Sequence, residues 1–260
     1  MEFQILENIK PVKTAGFKVY TLAETASTNT DVLNLAKAGA PDSIVVYAKK
    51  QTQGRGRMNR VWESKPEQSL AFTILLRPSK DEQAFLFRFT ALAALALAEV
   101  LDENYGLAAK LKWPNDVLLN GAKVCGILTE TLWQGTCAEA LAIGMGVNLG
   151  KQAYESAKPL RYQAISLEEV TGQLVPPLVL LEAILKRVSQ LRPQIGSIEF
   201  IQKWNGKLAF KGEKVKTINE KGETESFRLI GIQDDAALLL EDAHGKLRQL
   251  YSSEISLSSL

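Results

Sequence analysis

The chain has 260 residues, of which 46% are hydrophobic and 23% charged, with a formal net charge of +2. That is the make-up of an ordinary globular protein with ample apolar material for a core, in one large domain or two unequal ones. The near-balance of charge argues against a global basic field of the kind that binds nucleic acid, and the single histidine, His244, argues against histidine-rich metal sites or a Ser-His-Asp triad in the main body. Two cysteines, Cys125 and Cys137, form no C-x-x-C pair, which fits a reduced, cytoplasmic setting. No basic segment followed by an apolar run opens the chain, so no secretory signal is expected. The most apolar run, residues 89–98, lies between Arg88 and Glu99 and is too short to span a bilayer, so no membrane insertion is expected.

The first 17 residues are a lead-in with little pattern, too short for a DNA-binding helix-turn-helix domain. Residues 17–22 read as a first strand. Ser27, Thr28 and Asn29 then crowd a strand-to-helix junction, and Val32, Leu33, Leu35 and Ala36 give the next helix its apolar face. Gly39 and Pro41 end that helix. On residue preferences alone, helix capping is the favoured role of Ser27-Thr28-Asn29. The alternative is a polar cluster placed to hydrogen-bond a small ligand.

An apolar strand at residues 43–48 leads through Lys49 and Lys50 into a loop at residues 51–62, Gln-Thr-Gln-Gly-Arg-Gly-Arg-Met-Asn-Arg-Val-Trp. The loop has neither helical nor strand periodicity. No acidic residue occurs between Asp42 and Glu63. Arginine forks and glycine N–H groups are good ligands for phosphate and carboxylate, whereas the bland alternative is a solvated basic loop.

Residues 69–76 read as a buried strand, and residues 81–104 as a long apolar helix packed on a sheet face. Phe85, Phe87 and Phe89 alternate rather than fall at helical spacing, which suits core and interface. Lys112-Trp113-Pro114-Asn115-Asp116 follows. Asn120-Gly121 signals a two-residue hairpin. The returning strand, residues 123–128, is expected by simple alternation to place Lys123 and Cys125 on one face and Val124 on the other. A strand pair at 128–133 and 138–147 ends in Gly144-Met145-Gly146-Val147-Asn148. Two glycines so spaced in a strand imply that a ligand or another backbone comes close. Residues 150–175 look irregular apart from a short helix near 166–171. Pro176-Pro177 starts a helix to residue 191, and residues 197–204 form a last short one. From residue 206 glycines punctuate short strands at 214–218, 227–232, 237–240 and 247–251, the spacing of a small SH3-like β module. The expected division is therefore 1–205 and 206–260.

These polar signatures share one chemistry, anion handling without a catalytic histidine. Arg55, Arg57, Arg60 and Lys123 can gather a carboxylate and a phosphate, which suits adenylation of a carboxylic acid by ATP. Taken together, the Ser-Thr-Asn segment, the Gln-x-x-Gly-Arg-Gly-Arg loop with its later Arg and Trp, the Lys-Trp-Pro-Asn-Asp block, Lys-x-x-Gly-Ile-Leu and Gly-x-Gly-x-Asn resemble the biotin protein ligases of the short type, over roughly residues 20–260. The resemblance implies an α+β fold. A central mixed or antiparallel sheet carries helices on one face, as in class II synthetase-like biotin/lipoate ligases, and a C-terminal SH3-like barrel follows.

It also implies two half-reactions, formation of biotinyl-5′-AMP and biotin transfer to a lysine of a biotin carboxyl carrier protein. By position, Ser27, Thr28, Asn29, Gln51, Arg55, Gly56, Arg57, Lys123 and Gly126 would bind biotin. Arg57, Arg60, Trp62, Asn115, Asp116, Lys123 and Asn148 would bind the nucleotide. Lys123, Arg57 and Arg55 would carry the catalytic charge. Biotin and ATP are then substrates and Mg²⁺ accompanies ATP, with no side-chain set assigned as a resident metal site. The resemblance is compatible with a sheet-edge homodimer. One departure stands in the loop, where the family usually has glycine at the position of Asn59 and often a basic residue at Met58. Asn tolerates positive φ, so it is expected to take the left-handed position. The loop is expected to act as a lid. A lipoate or octanoyl ligase of the same fold, or a nucleic-acid module using the arginine loop, are the alternatives.

Overall fold

The computed structural model describes residues 11–154, 163–218, 224–251 and 258–259. Part of the lead-in and of the irregular 150–175 stretch therefore lies outside the described residues. Eight strands form the main sheet: β1 (Val12–Thr14), β2 (Phe17–Thr25), β3 (Ile44–Gln51), β4 (Ser69–Leu76), β5 (Lys110–Lys112), β6 (Asp116–Leu119), β7 (Ala122–Gln134) and β8 (Cys137–Asn148). Their order is β1-β2-β3-β4-β8-β7-β6-β5. Only β2 and β3 pair in parallel among the described strands, with Thr25 opposite Gln51, so the sheet is mixed. A parallel pair needs a crossover, and helix α1 (Thr28–Lys37) supplies it.

Strand alternation divides the sheet into two faces. Val45 and Tyr47 of β3, Phe72 and Ile74 of β4, and Leu141 and Ile143 of β8 enter the main core. Helices α2 (Arg88–Tyr105), α4 (Pro177–Leu191) and α5 (Ile198–Lys207) cover this face. In α2 every residue from Ala91 to Ala98 is buried, and the alanines let the helix lie close to its neighbours. Each leucine so buried contributes about 1.5–3 kcal/mol of transfer free energy. Gly106, at φ 66°, ends the helix in the left-handed conformation. The helices expected on one face are these three. The short α1 lies on the other, where Val32, Leu35 and Ala36 meet Val46, Leu75 and Ala142.

Several local expectations change. The expected helix at 81–104 is a 3₁₀ turn, Asp81–Phe85, followed by α2. Phe89 is in the core, but Phe87 is exposed. Asn120 and Gly121 both take positive φ, 50° and 78°, as a two-residue hairpin turn requires. The two strands expected at 123–128 and 128–133 are one continuous strand, β7. The predicted helix near 166 is α3 (Leu167–Thr171), with a capping box between Ser166 and Glu169.

A second, antiparallel sheet follows α5, made of β9 (Lys214–Ile218), β10 (Thr224–Ile232), β11 (Leu238–Glu241), β12 (Leu247–Leu250) and β13 (Ser258–Ser259) in the order β12-β11-β10-β9-β13. Its Val215, Leu229, Ile232 and Leu238 join the same hydrophobic core as the main body. The junction is also hydrogen-bonded. Trp113 Nε1 donates to Ala236 O (3.3 Å), Arg88 Nε to Asp234 O (3.2 Å), and Asn205 exchanges bonds with both backbone groups of Ile232 (2.8 and 2.9 Å). Trp113 thus serves this contact rather than the expected polar block around it. The helix before the second sheet runs to Lys207, so residue 205 falls inside it.

Candidate active site

Helix α1 packs on Val46, Leu75, Ala140 and Ala142 of its sheet face. Beyond the helix, β4, β8 and β7 present a floor of small residues. Ser69, Ala71 and Thr73 pair with Asn148, Gly146 and Gly144, and Gly126 pairs with Gly146. Gly126, Gly144 and Gly146 bring no side chain to this floor, and the shallow trough they leave is entered by the side chains of Asn29 and Trp62.

One wall of the trough is Ser27-Thr28-Asn29. Ser27 occupies the N-cap position of α1, yet its side chain makes no capping bond. Capping, favoured on residue preference, is therefore not what the Ser27 hydroxyl does. Thr28 and Asn29 are buried and turn inward. Gln51 Oε1 accepts from the Thr28 amide (2.9 Å) and hydroxyl (3.0 Å), which joins the wall to the end of β3. Thr73 Oγ1 lies 2.6 Å from Asn29 Oδ1 and 2.7 Å from Thr28 Oγ1. Asn29 Nδ2 donates to Leu128 O (3.1 Å) and to Glu130 Oε2 (2.8 Å). Thr73 and Glu130 stand in no recognised motif. Thr73 interrupts the apolar run of residues 70–76, whereas Glu130, between Thr129 and Thr131, carries no distinguishing signal in the sequence.

The arginine loop closes on itself. Gly54 O accepts from Trp62 N (2.9 Å), Arg55 bridges Val61, and Gly56 N donates to Arg60 O (2.7 Å). A Cβ on Gly54 would collide with the Trp62 carbonyl, so the ladder needs glycine there. The residue in the left-handed conformation is Met58 (φ 57°, ψ 41°), not Asn59 as expected. Its side chain is exposed, which leaves room for an unbranched residue to take positive φ.

Trp62 lies across the glycine floor. A Cβ on Gly146 would approach its Cζ2 to 2.5 Å, and one on Gly126 would lie 3.1 Å from its Cζ3. The indole N–H is buried without a hydrogen-bond partner. Lys123 Nζ sits 5.6 Å from the centre of the Trp62 ring, a cation–π distance.

Lys123 reaches this face through an irregularity. β6 and β7 slip register between Val117 and Leu118, where Val117 faces Cys125 but Leu118 faces Lys123. The bulge shifts the phase of β7, so Lys123 Nζ lies 2.9 Å from the Cβ position of Gly126, three residues on. Cys125, in regular register beside Gly126, points to the opposite face. The expectation that Lys123 and Cys125 share a face is therefore wrong. Cys125 is fully buried and its thiol is pushed far up by desolvation, as befits a core residue. At Gly144 the close neighbour is the Asn29 side chain, not another backbone.

Lys123 forms an ion pair with Asp116 at 2.6 Å. Arg57 Nη1 donates to Asn115 Oδ1 (3.1 Å), and Asn115 Nδ2 donates to Ile127 O (2.7 Å). Burial pulls the Arg57 guanidinium below its ordinary value and Asp116 opposes that effect, but an arginine remains charged. Arg55 Nη2 contacts both carboxylate oxygens of Glu130 (3.0 and 3.2 Å). Asn148 is buried, and its amide holds Lys123 O (3.3 Å) and Ile165 O (3.1 Å). It therefore fixes the backbone behind Lys123. Arg60 is exposed at the loop's outer end. Lys123, Arg57, Asp116, Asn115, Trp62 and Gly126 thus converge, with the Ser27 wall beyond. Among the described residues no three His, Cys, Asp or Glu side chains form a metal-binding group, and no helix is long and apolar enough to cross a membrane.

Residues 22–148 match the Biotin/lipoate A/B protein ligase family. The chain is 37% identical over 232 residues to a biotin–[acetyl-CoA-carboxylase] ligase of Paracoccus denitrificans, covering 86% of this chain and 95% of the relative. It is 32% identical over 236 residues to the bifunctional ligase/repressor BirA of Bacillus subtilis, covering 89% and 71%. A biotin protein ligase from Aquifex aeolicus, in complex with biotin and ATP, has a similar structure, with a TM-score of 0.79 and 29% identity over 93% of this chain and 99% of that one.

Proposed function

The chain belongs to the Biotin/lipoate A/B protein ligase family, and from that premise we propose that it is an ATP-dependent biotin–protein ligase. The observation that carries the reading is the convergence of Lys123, Arg57 and the Asn115-Asp116 pair beside a polar wall, all over one glycine floor. In the first half-reaction a biotin carboxylate oxygen bonds to the α-phosphorus of ATP, and pyrophosphate leaves. In the second, the ε-amine of a carrier lysine attacks the acyl carbon, AMP leaves, and an amide remains.

The residues divide the work by position. Ser27, Thr28, Asn29 and Gln51 line the end suited to the uncharged ring of biotin. Gly126 keeps the floor open. Arg57 and Lys123 stand where the carboxylate meets the phosphate, and their charge offsets what develops on the phosphoryl oxygens. Ligand must compete with Asp116 for Lys123, so that pair holds the ammonium in place until substrate arrives. Gly56 contributes backbone that a phosphate can approach. Trp62, Arg60, Asn115 and Asp116 flank the nucleotide, and Asn148 acts on it through the Lys123 backbone. Mg²⁺ would enter with the ATP phosphates and keep most of its water, so the single carboxylate of Asp116 suffices to receive it. There it would offset phosphate charge.

The second sheet is proposed as an SH3-like domain, residues 206–260, beside a catalytic domain, residues 1–205. The acceptor is proposed to be a biotin carboxyl carrier protein of a carboxylase such as acetyl-CoA carboxylase, the assembly a homodimer, and the setting cytoplasmic. Two unpaired cysteines, one of them exposed, support that setting. Incubation with biotin, ATP-Mg and a carrier domain, followed by intact mass, tests the function. Modification with lipoate instead of biotin would overturn it in favour of a lipoate ligase.

A further inference from the structure

Glu130 stands outside the sequence motifs, yet its carboxylate is where the polar wall and the arginine loop meet. Oε2 accepts from Asn29 Nδ2 (2.8 Å) and from Arg55 Nη2 (3.0 Å), and Oε1 lies 3.2 Å from the same Arg55 nitrogen. Glu130 is anchored on β7 opposite Ala142 of β8, in the middle of the sheet. Asn29 is equally fixed, since Thr73 and Leu128 hold its other bonds. The Arg55 backbone bridges Val61 and so forms part of the ladder that closes the loop. Holding the Arg55 guanidinium therefore holds the base of the loop.

We propose that Glu130 is the latch of the arginine loop, a positioning residue that ties the loop to the wall through Arg55. Arg55 is then an anchor of the loop, and contact with the ligand anion falls to Arg57 and Lys123. The Arg55 and Glu130 side chains are 46% and 31% exposed, so their pairing is weak enough to open and close during turnover. The consequence for the adenylate rests on the function proposed above, whereas the consequence for the loop does not.

The test is limited trypsin digestion of the full chain, following cleavage after Arg57 and Arg60, bonds common to all variants. Glu130→Gln keeps the shape and removes the charge, and it is expected to speed that cleavage by about two- to fivefold, the range of an exposed ion pair. Glu130→Arg should speed it at least as much. The exchange Arg55→Glu with Glu130→Arg should restore protection, a rescue that a packing role would not give. In a biotin and ATP assay, Glu130→Gln should release its adenylate faster by a similar factor. Unchanged cleavage in Glu130→Gln, or an exchange that restores nothing, overturns the latch. A variant that is cleaved faster but belongs to a chain forming no biotinyl adenylate supports the latch and counts against the functional reading.

Discussion

Asn29 lies directly over Gly144. A Cβ at residue 144 would collide with the Asn29 Oδ1 and lie 2.9 Å from its Cγ. The amide cannot retreat without losing bonds to Thr73, Leu128 and Glu130. Gly144→Ala is therefore expected to cost about 1–3 kcal/mol of stability, the range for overpacking a core. It should also weaken biotin binding, because the wall moves with Asn29. Thermal denaturation and calorimetric titration with biotin check both. A variant with unchanged melting and unchanged affinity would show that the wall tolerates displacement.

Gly146 has the same relation to Trp62. Gly146→Ala should lift the indole off the floor and expose it to water, since its Cζ2 would otherwise be 2.5 Å from the new methyl group. The expected signal is a red shift in tryptophan emission that disappears when Trp62→Phe is combined with it. Retention of the shift in the double variant would assign it to another tryptophan.

Lys123→Ala should lower adenylate formation by about a hundredfold or more, the usual loss when a transition-state donor is removed. It also removes the ammonium that pairs with Asp116, whose carboxylate then repels phosphate more strongly. Pyrophosphate release measured with biotin and ATP gives the rate. A near-normal rate would remove Lys123 from the mechanism.

Arg57→Ala should let the adenylate escape before transfer. The side chain joins the loop to Asn115, which Ile127 holds at the head of the Gly-Ile-Leu strand. Losing that tie should open the site to water. Quench-flow measurement of free against bound biotinyl-5′-AMP decides it, and equal retention in the variant and the unaltered chain would make the loop no lid.

Trp113→Phe should cost about 1 kcal/mol by removing the donor to Ala236 O, with adenylation little changed. The midpoint of urea unfolding measures this. Loss of activity at unchanged stability would instead place Trp113 in the site.

The elements that local patterning dictates are legible in the amino-acid sequence. The Asn120-Gly121 hairpin, the apolar α2, the capped α3 and the short C-terminal strands follow from turn chemistry and periodicity, which act over a few residues. The residues of the site are legible as types, because arginine, lysine, glycine and amide side chains at these spacings have a common use in holding anions. What each of them touches is not. Glu130 and Thr73 look like ordinary strand positions until strands remote in sequence bring them to Asn29.

The sequence by itself determined that the chain forms a mixed α+β protein with an arginine loop beside a glycine-rich strand end, and which chemistry those groups suit. Tertiary structure alone decided how they meet. A single extra residue in β7 turns Lys123 toward Gly126 and Cys125 away, a change of face that strict alternation cannot encode. The left-handed turn of the loop fell to Met58 rather than Asn59 because closure by Gly54, Arg55 and Gly56 fixes where the chain must reverse. Both outcomes come from hydrogen-bond register between two paired segments, β6 with β7 across the Asn120-Gly121 hairpin and residues 54–56 with residues 60–62 in the loop. Register is a property of the pair, and neither segment carries it alone.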